Sequence, residues 1–243
     1  MVAQRGRLTS NGRREMIANR FNPLGDKRRL TAKYYIQDGL IAMWDGIENV
    51  GYGKHDANAT KWIDLIGTNH LDCGKGVSFS DNACVFTGQG SAKGRRITQG
   101  NWQGVTIDMA YSRGGTSEFS CGCYGTLYGD LANFGIRDDK NAIYTRFTSM
   151  GVSVDGYPSL VSISSDGTNM FVAVDGTTRA TRANSKIFFK PNTTSEMPFC
   201  VAEWQYNYSL FKGNAYCVRI YNRALTDAEV AHNYATDKAR FGL

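Results

Sequence analysis

The stretch from Leu160 to Gly176 constrains the fold more than any other part of the chain. In Leu160-Val-Ser-Ile-Ser-Ser, Val161 and Ile163 fall on one face of a strand. Asp166-Gly167 then supplies a two-residue turn, because Gly accepts φ > 0 without a Cβ clash. Met170, Val172 and Val174 share one face of the return strand, and Asp175-Gly176 turns the chain again. Two Asp-Gly turns joined by alternating strands predict an antiparallel meander. Further strands are expected at 39–44, 61–65, 83–87 and 104–111, where Val105, Ile107 and Met109 alternate with Thr106, Asp108 and Ala110. Phe199–Trp204 and Ala215–Tyr221 are expected to form a late strand pair. Gly is frequent at 27 and Pro scarce at 4, which suits a sheet protein rich in hairpins. Hydrophobic residues make up 42% of the chain, enough for one sizeable core.

One convincing helix is expected, at the C-terminal end. Thr226-Asp-Ala-Glu229 has the spacing of a capping box, and Val230, Tyr234 and Phe241 fall near one face. That face is expected to close one end of the sandwich.

The net charge of +6 is unevenly placed. Residues 1–33 carry nine basic and two acidic residues, a net +7, and the other 210 carry −1. The chain therefore divides into a basic arm over 1–36 and a near-neutral domain over 37–243, with no linker inside the domain. Arg5, Arg7, Arg13, Arg14, Arg20, Lys27, Arg28 and Arg29 are the anchoring candidates of the arm. An acidic protein surface or a second subunit is the expected partner. Nucleic acid is not, because the arm lacks a base-stacking platform. The opening residues have no apolar core of a signal peptide, and no apolar run is long enough to span a membrane. The six cysteines are expected to be mostly reduced and buried.

The tail Arg219-Ile-Tyr-Asn-Arg-Ala-Leu225, followed by Glu229, resembles the closing motif of the laminin-G-like domains of the concanavalin-A-like lectin/glucanase superfamily. The Ser162–Gly167 and Val174–Gly176 element resembles the family's central hairpin. Gly39-Leu-Ile-Ala-Met-Trp-Asp-Gly46 with Trp62-Ile-Asp-Leu65 resembles its opening. The resemblance implies an all-β jelly-roll sandwich with a short C-terminal helix, here preceded by the extended basic arm. The Trp-Asp-Gly opening and the Asp237–Phe241 ending are similar to modules in structural proteins of gut phages and prophages. That implies a non-enzymatic virion decoration protein, assembled in the bacterial cytoplasm and held to capsid or other virion proteins by its arm.

The chemistry-bearing motifs are few. This superfamily also hosts glycosidases, which need two carboxylates flanking the scissile bond. No strand carries such a pair, and Asp108, Glu118 and Glu203 are expected to face solvent. There is no nucleophile elbow and no phosphate loop. His55, His70 and His232 lack paired spacing and are expected in exposed positions. No cofactor is expected. Calcium is the one ion that the loop carboxylates suggest, with Asp45 and Asp56 as weak candidates. Sugars stack on Trp and Tyr and are read by amides, so Trp102, Trp204, Tyr206, Tyr208 and Asn214 are the glycan candidates. The alternative functions are thus a carbohydrate-binding adhesion module and, less favoured, a glycoside hydrolase. Trp44 and Trp62 are expected in the core.

Overall fold

The computed structural model describes residues 32–95, 97, 102, 104–114, 119–123, 134–138, 143–145, 148–154, 156–183, 199–203 and 211–243. The strands run in chain order as β1 (Leu40–Asp45), β2 (Lys61–Trp62), β3 (Leu71–Cys73), β4 (Val77–Phe79), β5 (Cys84–Thr87), β6 (Ala92–Lys93), β7 (Val105–Arg113) and β8 (Phe119–Cys123). They continue as β9 (Phe134–Asp138), β10 (Ile143–Thr145), β11 (Thr148–Ser149), β12 (Ser159–Ser165), β13 (Asn169–Val174), β14 (Thr177–Ala183), β15 (Cys200–Val201) and β16 (Lys212–Tyr221). Helix α1 spans Asp227–Phe241.

The main sheet has the order β14-β13-β12-β7-β16-β5-β4. One flank of β16 pairs with β7; the other is shared by β5 and β1. Two smaller antiparallel sheets, β15-β6-β3-β2 and β11-β10-β9-β8, supply the opposing layer. Ile107, Met109, Val161, Ile163, Val172, Val218 and Ile220 of the main sheet share one core with Trp62, Leu71, Ala92, Ile136 and Val201 of the other layer. This is the predicted all-β jelly-roll sandwich, and alternation along the strands puts these side chains on one face.

The expected hairpin is present in full. β12 pairs with β13 in register Val161↔Val174 and Ile163↔Val172, with Gly167 at φ 91°. Asp175 (φ 52°) and Gly176 (φ 75°) form the second turn, and the Asp175 carboxylate accepts from Ser159 Oγ at 2.7 Å and Leu160 N at 3.0 Å. Trp44 and Trp62 are fully buried, and each indole N–H donates to a backbone oxygen at 3.0 Å. Trp44 also stacks on Phe199 at 4.7 Å. Gly46 lets the chain pass Ala83, whose Cα would lie 2.5 Å from a Cβ at that position.

Three expectations need correction. The described part of the expected Phe199–Trp204 strand does not pair with Ala215–Tyr221: β15 pairs with β6 in the smaller sheet, while β16 sits inside the main one. Neighbours in sequence are often neighbours in space, but here the chain crosses from one layer to the other between them. Helix α1 does not close an end. It lies over the outer face of the main sheet, where Val230, Phe241, Leu225 and Tyr35 pack with Met43, Ala110, Leu160, Ala173, Cys217 and Tyr221. That sheet is therefore covered on both sides, so Asp108 is fully buried rather than solvent-facing, and Glu203 is buried as well. The three histidines are exposed, as expected. Cys73, Cys84 and Cys217 are free thiols. No described helix is long and apolar enough to cross a membrane.

Candidate functional site

Buried charge is expensive unless paired, so each buried carboxylate reveals what it is for. Beneath α1, Asp108 accepts from Arg219 Nε at 3.3 Å, from Asn233 Nδ2 at 2.8 Å and from Ser162. Asp237 takes Arg219 Nη1 and Nη2 at 2.7 Å each, plus the Tyr35 hydroxyl at 2.7 Å. The Arg219 guanidinium lies 4.2 Å from the Tyr35 ring centre. Next to it Arg240 Nη2 stands 2.9 Å from Asp45 Oδ2 but off the hydrogen-bonding direction, so that oxygen has a charged neighbour and no hydrogen bond. On the other layer Glu203 accepts from Ser91 Oγ at 2.6 Å and pairs with Lys93 Nζ at 2.6 Å. These carboxylates are buried and clamp elements together.

A fifth carboxylate, Asp138, differs, because it organises an aromatic ring at the surface. Alternation along β7 puts Tyr111 and Arg113 beyond Met109 on the inner face. The register Ser159↔Tyr111 brings Tyr157, two residues earlier, beside Arg113. Asp138, at the end of β9 and 1% exposed, accepts from Tyr111 OH at 3.0 Å, from Arg113 Nη1 at 3.1 Å and from the Tyr157 hydroxyl. Tyr157 packs on Tyr111 at 5.6 Å between ring centres, with the Arg113 guanidinium 5.9 Å from its own. Yet Tyr157 remains 36% exposed. Burial, and then the bond to Asp138, pushes its phenol up to about 12, so it stays a neutral donor. The result is a rigid aromatic platform flanked by a cation. Sequence reasoning missed it, since Tyr157 before Pro158 reads as plain loop and its partners come from β7 and β9.

The sequence-predicted residues are not brought together. Trp102 is 6% exposed and belongs to the core. Asn214 lies on the outer face of the main sheet, where its Nδ2 donates to Ser112 Oγ at 3.3 Å. Trp204, Tyr206, Tyr208, Glu118 and the arm cations Arg5 to Arg29 lie outside the described residues. Asp45 faces Arg240, while exposed Asp56 accepts the Asn58 amide. No group of three metal-ligating side chains converges among the described residues.

Pockets lined by described residues lie on the flanks of the fold. One of about 270 Å³ lies between the start of α1 and β12–β14. Its polar lining is internally engaged: Thr178 donates to Asp227, Ser164 bonds Thr106, and Asp166 accepts two backbone amides. Another, of about 300 Å³, is lined by Ile47, Glu48, Gly53, Lys54, His55 and Asp81. There Glu48 holds its own loop through the Gly53 amide at 2.9 Å.

No protein-family model matches the chain, and no curated protein matches it in sequence. Solved structures do resemble it. A Trypanosoma rangeli sialidase in complex with 2,3-difluoro-KDN has a TM-score of 0.59 at 17% identity, over 82% of this chain and 33% of the sialidase. The binding domain of Paraclostridial Mosquitocidal Protein 1 gives 0.55 at 14%, over 81% and 52%. Domain 4 of AbnA, a GH43 extracellular arabinanase from Geobacillus stearothermophilus, in complex with arabinotriose, gives 0.51 at 15%, over 81% and 98%. The chain thus spans about a third of the sialidase it resembles. Likeness at such identity establishes the fold.

These matches correct the expectation of a phage decoration protein. They lead to sialidases, an arabinanase domain and a toxin's binding domain, and give no support to a virion role, a capsid partner or a virion location. The physical reason lies in the motif that suggested it. Arg219 clamps α1, and Arg223 holds Glu229 at 2.6 and 2.9 Å, so the tail encodes a way of closing the sandwich and not a setting for it.

Proposed function

We propose that the chain is a carbohydrate-binding module of the laminin-G-like, concanavalin-A-like kind, which holds a glycan against Tyr157 without cleaving it. The observation that carries this reading is a surface tyrosine whose hydroxyl is fixed by a buried carboxylate while its ring stays exposed. A pyranose or furanose offers an apolar C–H face, and a ring already immobilised loses little entropy on receiving it. Arg113, its side chain buried against Asp138, braces the ring from behind. The arabinanase domain of the same fold, in complex with arabinotriose, supports the class of ligand. Hydrolysis would call for two carboxylates across a scissile bond, and Asp108, Asp138 and Glu203 are each engaged by cations and hydroxyls.

The test is a glycan array followed by titration of the whole chain with the best ligand, including arabino-oligosaccharides and sialylated glycans. Tyr157→Ala is expected to weaken binding about tenfold or more, the loss of ~1.4 kcal/mol of stacking, and Tyr157→Phe to retain most of it. Absence of binding to every glycan, or an unchanged Tyr157→Ala variant, overturns the proposal.

A further inference from the structure

One cavity plays no part in the glycan reading. It has about 300 Å³ and is lined by Ile47, Glu48, Gly53, Lys54, His55 and Asp81, a size that holds a small molecule. Fixed pieces of chain build it. Gly46 packs against the turn between β4 and β5, with the Asn82 oxygen and Ala83 Cα each 2.5 Å from where its Cβ would stand, and so brings Asp81 beside Ile47. Glu48 accepts the Gly53 amide at 2.9 Å, and Lys54 N donates to Gly51 O at 2.9 Å. Fully buried Asn49 closes the same loop, exchanging two hydrogen bonds with the Asp56 backbone at 2.7 and 2.9 Å. The loop that carries Lys54 and His55 is thus held before any ligand arrives.

The lining offers both signs of charge. Lys54 and Asp81 are exposed, and among the described residues neither forms an ion pair. Glu48 is not open to a further cation: it is buried, engages Gly53 through Oε1 and has Oε2 3.5 Å from Arg240 Nη2. His55 Nδ1 lies 3.1 Å from Ile47 O. A carbonyl only accepts, so in the neutral ring the proton sits on Nδ1 and Nε2 is an acceptor. The cavity therefore presents one cation, one carboxylate, one neutral acceptor and an apolar edge from half-buried Ile47. A ligand with a single charge would pair one of the two ions and leave the other beside it. A zwitterion pairs both. We propose that this cavity binds a free α-amino acid, with its carboxylate on Lys54, its ammonium on Asp81 and His55 Nε2, and its side chain against Ile47.

Calorimetric titration of the full chain with the common L-amino acids, each beside its N-acetyl and its carboxamide form, tests this. At least one amino acid should bind, and blocking either of its charged ends should weaken it about tenfold or more, the contribution of one charge-assisted hydrogen bond. Lys54→Met should lose about tenfold for the amino acid and leave the affinity for its carboxamide unchanged. Asp81→Asn should behave in the same way with the N-acetyl form. Both side chains are exposed, so thermal midpoints close to that of the wild type will show that each variant folds. Heat from no amino acid, blocked forms that bind as well as their parents, or variants that bind like the wild type each overturn the proposal. A chain that binds a glycan but no amino acid overturns this site and leaves the Tyr157 reading standing.

Discussion

Arg219 places its two terminal nitrogens 2.7 Å from the two carboxylate oxygens of Asp237, and both side chains are wholly buried. The first belongs to the last strand and the second to the helix that follows, so this bidentate pair sets where the helix lies. Replacing Arg219 by Met leaves Asp108 and Asp237 buried together without their cation. The expected cost is about 3–5 kcal/mol, the usual penalty for orphaning a buried charge. Urea denaturation of the variant beside the wild type measures it. A cost below ~1 kcal/mol would show that Tyr35, Asn233 and Ser162 suffice to hold both carboxylates.

That pair also explains what the sequence disclosed and what it hid. The Arg219–Leu225 motif and the capping box were legible, and both are formed: Thr226 Oγ1 accepts from Glu229 N, and Glu229 Oε2 accepts from Thr226 N at 2.8 Å. The position of the helix was not legible, because its buried side includes Asn233, Asp237 and Arg240. Hydropathy assigns such residues to solvent, and with them Asp108, which lies on the sheet face they cover. The aromatic platform stayed hidden for a different reason. It depends on which strand lies beside which, and nothing local to Tyr157 announces Asp138 or Arg113.

Two carboxylates should move stability in opposite directions with pH. Burial pushes Asp45 up to about 6 from an ordinary 3.8, against the pull of Arg240. A raised folded value means that its contribution is full below 3.8 and is lost as pH rises through 6. The stability of the wild type minus that of Asp45→Asn should therefore fall across this window, by up to about 3 kcal/mol. Glu229 is held down at about 2, first by its hydrogen bonds from Arg223. Its contribution is present above the ordinary 4.5 and lost as pH falls through 2, so wild type minus Glu229→Gln should grow with pH. Denaturant titrations from pH 2.5 to 7.5 read both, and parallel curves for either pair would contradict the assignment.

The turn after β13 should tolerate no side chain. Gly176 has φ 75°, and a Cβ there would lie 3.1 Å from Ala231 Cα and from the Tyr234 side chain on the helix. Gly53 has a similar φ of 67° with nothing within 4 Å. Both Ala variants incur left-handed strain of ~1–2 kcal/mol, but Gly176→Ala must also push the helix outward. It should lower the thermal midpoint clearly more than Gly53→Ala; equal losses would mean that the helix yields at no cost.

The two faces of the main sheet separate the glycan candidates. Tyr157 sits by Tyr111 on the inner side, whereas Asn214 bonds Ser112 on the outer side. Phe211 packs edge-on against Tyr111 at 6.5 Å, behind the same ring. Asn214→Ala should leave the glycan affinity that Tyr157→Ala weakens within about twofold, since it removes a group from the opposite face. Calorimetric titration of the Tyr157→Ala and Asn214→Ala variants with one oligosaccharide distinguishes them. Loss of binding in Asn214→Ala alone would move the site to the outer face, beside Ser112 and Tyr216, and leave the Tyr157 cluster as a clamp between β7 and β9.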